Sequence, residues 1–459
     1  MYYGEFNDSF PPQTDGVAQT TVNYATWLHR KPGIQACVVA PQFTRAIDRY
    51  DFPVIRFISL PLPLAKDYML GLPEIAFRTT LRLENLPLDL VHAHCPFASG
   101  TLALMTARRK NIPLVATFHS KFADDFAQRL KIETAGEIAA KYVATYFAQA
   151  DEVWAVNASS ARTLADYGYR GPTRVMPNGC DFDTLQRTPQ MRAEVLRHYE
   201  LPDKPLLLFV GRMAEQKNIN ILLEAMARMH TDCCALLVGD GERLPLYRKQ
   251  ANELGLSHRV RFAGTVLDRT HLRSIYASAD LFCLPSVYDN APLVVREAAA
   301  CGTPSALITG SDAAEGITDG VNGYTSALDA AAYARTLDGA LSNPEARFAV
   351  GEKARSTVYM SWQKVVDIAE ARYREIIIEY RAKQEVASGK RRYYSIPAVI
   401  AHELFNKQVV RVRFTSKRMN RLAKRQNRIV RTRTRNVQNI TLLRIKDLRH
   451  SLQKRRSVK

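Results

Sequence analysis

An apolar run, Leu206–Val210, ends at Gly211, and two cations, Arg212 and Lys217, follow within six residues. The run is long enough for one buried strand, and an amphipathic pattern begins at Ile219. A strand that delivers a glycine turn to a helix start suits a phosphate. The glycine allows close backbone approach, and free helix N–H groups favour anions. Arg212 adds a planar fork of donors and Lys217 a point charge. Read alone, the segment is equally an ordinary strand-to-helix turn with two solvated cations. Further along, Asp289 and Glu297 stand eight residues apart in YDNAPLVVREAAA (Tyr288–Ala300). The loop between them, Asn290, Ala291, Pro292 and Leu293, runs into a helix whose N–H groups add to any anion site. As isolated acids, Asp289 is also a loop or N-cap residue and Glu297 a first-turn helix acid favoured by the dipole.

Three histidines close two apolar runs: His92 and His94 in LDLVHAHCPF (Leu88–Phe97), and His119 in IPLVATFHSKF (Ile112–Phe122). Side chains at strand C-termini in an open parallel sheet face the ligand crevice. Each histidine also has a plain reading as a satisfied packing residue. Near the N-terminus, Pro11 and Pro12 forbid helix, Asp15–Gly16 form a tight turn, and a helix follows from about Val17. This is a second strand, turn and helix start suited to an anion, and equally an ordinary loop.

The elements that must position these residues alternate. Strands are expected at Tyr2–Phe6, Ala36–Ala40, Val54–Leu60, within Leu88–Phe97 and within Ile112–Phe122. Residues 121–150 read as helical, with a loop near Asp124–Asp125. Asp151–Gly168 reads as strand then helix, with Ser159 and Ser160 where N-caps sit. A second series, Leu206–Val210, Ala235–Val238, Val260–Ala263, Leu281–Leu284 and Thr303–Leu307, alternates with helical patterns. Strand–helix alternation of this kind gives a parallel, doubly wound α/β sheet in each half.

The segments LLLFVGRMAEQKNINILL (Leu206–Leu223), LLVGDGERL (Leu236–Leu244), VRFAGTV (Val260–Val266), YASADLFCLPS (Tyr276–Ser286) and VYDNAPLVVREAAACGTP (Val287–Pro304) occur in order. Together they resemble the nucleotide-sugar-binding half of a retaining glycosyltransferase of the GT-B, family-4-like class, and the resemblance spans roughly residues 1–380. It implies two Rossmann-like domains facing a cleft: an acceptor-side domain at 1–190, a donor-side domain at 191–384 with a return helix, and a basic extension at 385–459. Trp362–Lys383 reads as that helix, with apolar positions at Val365, Ile368, Ala369, Tyr373, Ile376 and Ile377.

The resemblance also implies roles. His119, within TFHS, positions the transferred sugar. Asp15, Gly16 and Val17 lie under the donor diphosphate, and Gly211, Arg212 and Lys217 stabilise it as it leaves. Gly239 and Phe262 border the base. Glu297 takes the ribose hydroxyls. Asp289 stands where relatives carry a glutamate, one methylene longer, so its sugar contact is altered or shared with Asn290. The segment Pro177–Asn178–Gly179 lies at the hinge side of the cleft, and residues 62–80 border the acceptor or a membrane. No covalent nucleophile is evident, so retention implies front-face substitution with the leaving phosphate as base. No Asp-x-Asp pair stands at a strand end, and two cations with a helix N-terminus replace a divalent metal; metal-independent transfer is expected.

Charge is segregated. Residues 385–459 carry 22 Lys and Arg against three acids, so the whole net charge of +19 sits there and the preceding 384 residues balance. Gln408–Ser416 alternates apolar and basic residues, residues 417–435 are dense in Arg and Lys, and Val437–Leu452 has weak helical periodicity. A segregated tail points to docking, with anionic lipid favoured over an anionic polymer or nucleic acid, or a solvated extension. Sparse aromatics in the tail (Phe405, Phe414) disfavour a nucleic-acid stacking module. Seven scattered cysteines without a CxxC fit free thiols in a reducing cytoplasm. With no signal peptide and no apolar run of about 18–20 residues, the expected location is cytoplasmic, peripheral to the inner face of the cell membrane. The expected activity is hexose transfer from a nucleotide sugar, UDP-linked by preference, to a membrane lipid such as diacylglycerol. The alternatives are a transferase of surface polysaccharide synthesis and a decayed GT-B protein that binds an anionic polymer or nucleic acid through its tail.

Overall fold

Short apolar runs bounded by glycine and proline become the strands of two parallel sheets. The computed structural model describes residues 1–386 apart from 14, 44–45, 63–64, 120, 122–132 and 186. In the first half the strands are β1 (Tyr2–Phe6), β2 (Gln35–Pro41), β3 (Val54–Phe57), β4 (Ser59–Leu62), β5 (Ala65–Gly71), β6 (Leu90–Ala93), β7 (Leu114–Phe118), β8 (Glu152–Ala155) and β9 (Thr173–Val175). The helices between them are α1 (Gly16–His29), α2 (Phe77–Asn85), α3 (Ala98–Lys110), α4 (Glu133–Phe147) and α5 (Ala158–Asp166). Seven strands form one parallel sheet in the order β3-β2-β1-β6-β7-β8-β9, and β4 and β5 make a separate antiparallel pair. The single strand expected at Val54–Leu60 is therefore two. The Ile58 carbonyl accepts from Leu72 N at 2.9 Å, and Ser59 pairs with Gly71, so the chain leaves the parallel sheet at Ile58.

In the second half, helix α6 (Pro189–His198) precedes β10 (Leu206–Val210). Then follow α7 (Ile219–Arg228), β11 (Cys234–Val238), α8 (Leu244–Glu253), β12 (Val260–Gly264), α9 (Arg269–Ser278), β13 (Leu281–Leu284), α10 (Leu293–Ala300), β14 (Ser305–Ile308) and β15 (Tyr324–Ser326). Their sheet is parallel, in the order β12-β11-β10-β13-β14-β15. The helices α11 (Ala330–Ser342), α12 (Pro344–Thr357) and α13 (Trp362–Val386) complete the described chain. The doubly wound reading holds in both halves. Each strand of the second sheet except β15 was legible as an apolar run. At three residues, β15 is too short to show a period.

Helix α13 returns to the first half. Val365, Val366, Ala369, Tyr373, Ile376 and Ile377 pack with Tyr3, Leu90, Val115 and Trp154 in one buried cluster. Ile368 lies on the outer face and is exposed. Arg372 clasps Glu152 of β8 with Nε and Nη2, the closest contact 2.5 Å. The ion pair joins residues 220 apart in sequence and fixes where the helix lands. All seven cysteines are free and buried. No helix of the described residues is long and apolar enough to cross a membrane. The expected loop at Asp124–Asp125, and the patterns read in 387–459, lie outside the described residues.

At the top of the second sheet two backbones nearly touch. Gly239 follows β11 at φ +132°, and a Cβ there would fall 1.9 Å from the Gly211 carbonyl oxygen. Gly211 N donates to Val238 O at 3.0 Å and Met213 N to Asp240 O at 2.8 Å, so neither loop can retreat without losing hydrogen bonds. Gly239→Ala is expected to cost about 2–4 kcal/mol through backbone strain and overpacking. A lower urea midpoint at unchanged m-value measures it; an unchanged midpoint would show that the loops separate freely.

Candidate active site

One face of the first sheet carries an unusual set of polar side chains. Alternation along β1 puts Tyr3 and Glu5 on the same face, and the register pairs Glu5 with His92 of β6. Continuing by twos, His94 and, from β7, Thr117 share that face. Tyr24 of α1 and Tyr373 of α13 cover it, and the Tyr24 ring stands edge-on to both histidines. Glu5 has no solvent exposure. Its Oε2 accepts from His94 Nε2 at 2.8 Å and lies 3.2 Å from His92 Nδ1. Tyr373 Oη bonds His92 Nδ1 at 2.6 Å, Thr117 Oγ1 bonds His92 Nε2 at 2.6 Å, and His94 Nδ1 meets His119 Nε2 at 3.1 Å. Burial alone would raise the Glu5 carboxyl, but His92 and His94 outweigh it and hold it at about 2. Burial, with His94 alongside, pushes His92 down to about 4 and His119 well below the ordinary histidine value. The Glu5, His92 and His94 ligand atoms lie within 4.8 Å of one another, a spacing open to a metal. Hydrogen bonds engage each of those nitrogens, while Glu5 Oε1 is buried without one.

The second half presents its cations at the C-terminal end of β10. Lys217 ends a short 3-10 turn, Glu215–Lys217, and Asn218 enters α7 in the left-handed conformation, anchored to the Pro285 carbonyl. Lys217 Nζ grips both oxygens of Asp289, at 2.6 and 2.8 Å. Two residues singled out independently in the sequence are thus one ion pair, and Asp289 is not the N-cap of α10; Pro292 holds that position. Arg212 is exposed, with no side-chain partner among the described residues. A Cβ at Gly211 would meet nothing closer than the Phe209 ring at 3.4 Å, so its outer side is open. Glu297 sits one turn deeper in α10 than a first-turn acid and is only 6% exposed. Arg269 Nη2 donates to its Oε1 at 2.7 Å and Tyr276 Oη to its Oε2 at 2.8 Å. Arg269 also forks onto Asp181 and lies over the Phe182 ring at 4.3 Å.

The two halves meet around the loop Asp289–Leu293. Asn290 Nδ2 donates to the His119 carbonyl at 3.1 Å, Asn157 Nδ2 to the Asn290 carbonyl at 2.6 Å, and Asn178 Nδ2 to the Ala291 carbonyl at 3.4 Å. Leu293 packs against the core of the first half. Beside them, Glu315 accepts from Ala158 N at 2.7 Å and Ser159 N at 2.6 Å, the free N–H groups of α5, and Lys121 pairs with Asp312 at 2.7 Å. His119, Asn290, Asp289 and Lys217 are therefore linked through successive contacts, with the N-terminus of α10 alongside.

Other expectations meet the structure differently. Asp15 is itself the N-cap of α1, accepting from Val17 N at 3.0 Å and Ala18 N at 2.8 Å, so its carboxylate fills the anion position that the turn with Gly16 offers. The cap of α5 is Asn157, through Ser160 N, rather than Ser159 or Ser160. Phe262 lies on edge strand β12, partly buried, with the Arg248 guanidinium 5.8 Å from its ring centre. Gly239 packs on Gly211 rather than standing open. Sequence reasoning missed Glu5, Asn157, Arg269, Asp312 and Glu315. Only Glu5 left a signal, as a lone acid inside the apolar strand YYGEF.

Two parallel, doubly wound α/β halves that meet at a loop are the arrangement of the GT-B fold. The Glycosyltransferase Family 4 profile matches residues 14–184 and the Glycosyl transferases group 1 profile residues 192–357. D-inositol 3-phosphate glycosyltransferase of Geodermatophilus obscurus is 30% identical over 325 residues, covering 66% of this chain and 69% of that protein. Alpha-monoglucosyldiacylglycerol synthase of Streptococcus pneumoniae is 28% identical over 317 residues, covering 66% and 70%. Among solved structures, Anabaena Alr3699/HepE in complex with UDP-glucose aligns with a TM-score of 0.64 at 20% identity, over 80% of this chain and 98% of that one. WaaG, a glycosyltransferase of lipopolysaccharide biosynthesis, aligns with a TM-score of 0.59 at 18% identity, over 80% and 98%. The chain belongs to glycosyltransferase family 4, group 1, and is a nucleotide-sugar glycosyltransferase.

The buried histidines set an acid limit on the fold. The unfolded chain binds protons at His92 and His119 near pH 6.5, whereas the folded chain resists them, His92 down to about 4. Unfolding therefore takes up protons, and stability falls as pH drops from about 6.5 towards 4, by about 1.4 kcal/mol per pH unit for each such histidine. Urea midpoints at pH 7 and pH 5 should show this, and His119→Gln should flatten the dependence by about one proton. Equal slopes for the two proteins would mean that His119 is not held neutral.

Proposed function

We propose that this enzyme moves a hexose from a UDP-linked donor to a membrane lipid such as diacylglycerol, with retention of anomeric configuration. The observation that carries the donor side is the meeting of His119, the Asp289–Leu293 loop and the Lys217 cation at one boundary. Arg212 and Lys217 stabilise the diphosphate as it leaves. Lys217 has three donors, so it bridges Asp289 and a phosphate oxygen, while Arg212, exposed and without a side-chain partner among the described residues, supplies the second charge. The N–H groups at the start of α10 and the backbone at Gly211 add to this anion site. Asp289 and Asn290 contact sugar hydroxyls, and His119 positions the sugar. Glu297 takes the ribose: Arg269 and Tyr276 hold its carboxylate in place, and its remaining lone pairs accept the hydroxyls. In the transfer, the bond from the anomeric carbon to the phosphate oxygen breaks. The acceptor oxygen bonds to that carbon on the same face, and its proton passes to the leaving phosphate. The division at residues 190 and 384 into acceptor-side, donor-side and tail parts goes with this reading.

The lipid acceptor rests on a surface of the first half. Ile58, Leu60, Leu70, Ile75, Phe77 and Leu81 are all large, apolar and exposed, Phe77 to 70%. They come from β4, β5 and α2 with their flanks, and exposed Arg78 and Arg82 accompany them on α2. Apolar residues beside cations on one short amphipathic helix suit the headgroup boundary of an anionic bilayer. The net charge of +19 on residues 385–459 reinforces that attachment to the membrane. The relative named alpha-monoglucosyldiacylglycerol synthase is consistent with it. On this reading the enzyme works at the inner face of the cell membrane.

The test is nucleotide release from a panel of sugar nucleotides, with and without vesicles of diacylglycerol and anionic phospholipid. Turnover should require vesicles, prefer a UDP-hexose and weaken with salt. Turnover of a soluble polar acceptor without vesicles, or of another nucleotide, would replace the lipid or the UDP assignment respectively. Arg212→Ala and Lys217→Ala should each lower kcat about 10²–10³-fold, the scale of a lost transition-state donor. Phe77→Ser should reduce turnover on vesicles several-fold and lipid flotation in parallel, while leaving UDP binding unchanged; full activity with lost flotation would separate attachment from catalysis.

A further inference from the structure

We infer that Glu5 and His94 are positioning residues that fix the ring of His119 as a hydrogen-bond acceptor towards the donor sugar. This rests on the reading of His119 given above. The geometry is a line of three buried groups, one on β1 and the others just past the ends of the adjacent β6 and β7. Glu5 Oε2 lies 2.8 Å from His94 Nε2, and His94 Nδ1 lies 3.1 Å from His119 Nε2. The direction of the line follows from its first member. A carboxylate only accepts, so His94 must carry its proton on Nε2. With that as its single proton, the ring of His94 has a bare Nδ1, which takes the proton of His119 Nε2. A neutral His119 is left with a bare Nδ1, the ring nitrogen that has no partner among the described residues. That nitrogen accepts from a hydroxyl.

Two further observations separate this from a merely structural cluster. The Glu5 side chain is fully enclosed, yet its Oε1 has no hydrogen bond. A residue kept only for packing at that point would be apolar, because removing a carboxylate from water is costly even when it is paired. And the line ends at the boundary between the halves, where Asn290 holds the His119 carbonyl at 3.1 Å. The remaining groups facing the line are His92, Thr117, Tyr24 and Tyr373, and none of them can replace Glu5 as a full acceptor. Tyr373 brings the return helix into the arrangement, so the orientation of a residue at position 119 depends on the chain's last described helix.

The full-length protein, labelled with nitrogen-15 at histidine, reports the ring proton of His119 by long-range proton–nitrogen correlation, with His119→Gln providing the assignment. In the wild type the proton is expected on Nε2. In Glu5→Gln the side chain can donate as well as accept, so the proton should move to Nδ1 or divide between the two nitrogens. Transfer should fall about 10–100-fold in kcat/KM, with UDP affinity unchanged. His94→Gln, read in the same way, keeps the test open if Glu5→Gln does not fold. A wild-type proton on Nδ1, or a proton and a transfer rate that neither substitution moves, would overturn the inference. The proton position needs no substrate. A wild type with the expected tautomer but with transfer unaffected by His119→Ala would sink the sugar-positioning role and with it the purpose of the relay, while leaving its geometry demonstrated.

Discussion

A carboxylate with no access to water lies at the centre of the first sheet, and much of the molecule is arranged to accommodate it. His92 and His94, hydrogen-bonded to Glu5, hold its carboxyl below the ordinary carboxylate range. An isolated buried charge costs several kcal/mol. It persists only because β6 brings two histidines into register with β1, and because Tyr24 and Tyr373 close the face above them. The return helix is part of that enclosure. Its Tyr373 bonds His92, its Arg372 clasps Glu152, and its apolar face completes the core around Tyr3 and Trp154. The end of the described chain thereby shapes the strand that opens it.

The second half handles charge in the opposite manner, near the surface and in exchangeable form. Lys217 is neutralised by Asp289, whereas Arg212 is left to solvent. Among the described residues, this turn carries one exposed cation without a side-chain partner and one held in an ion pair. The Lys217–Asp289 pair also ties the turn after β10 to the loop before α10. That loop touches the first half through Asn290, Asn157 and Asn178. The Glu315 carboxylate on the N-terminus of α5 adds a charge–dipole contact at the same boundary. The Lys217–Asp289 pair, the loop position and the meeting of the halves are coupled physically, because the same few residues serve all three.

Local patterns were reliable wherever a strand was fully apolar. Leu206–Val210 and Leu281–Leu284 appear with the bounds their sequence suggests, since a short apolar run between turn residues has few other stable uses. They failed where two structures share one pattern. Val54–Leu60 looks like one strand, but Ser59 pairs with Gly71 and the chain divides at Ile58. The cap of α5 was misplaced by two to three residues because Asn157, Ser159 and Ser160 are all competent caps, and only the backbone at Asn157 has the extended geometry a cap requires. Asp15 was legible as a turn residue beside an anion site, though not as the anion that occupies it.

By itself the sequence determined the alternating α/β order, the family, the segregation of positive charge into residues 385–459, and the cations, carboxylates and histidines that end its strands and turns. Those properties are local: each is carried by neighbours in the chain, by a period of two or 3.6, or by residues within one turn. The tertiary structure alone decided the partnerships. Lys217 meets Asp289 across 72 residues, His94 meets Glu5 across 89, and Asn290 meets His119 across 171. Sheet order sets these distances, and no periodicity along the chain encodes that β1 lies beside β6 or that β10 lies beside β13. Whether Glu297 faces water or Arg269 and Tyr276, and which way a proton sits along three buried groups, follow from that order.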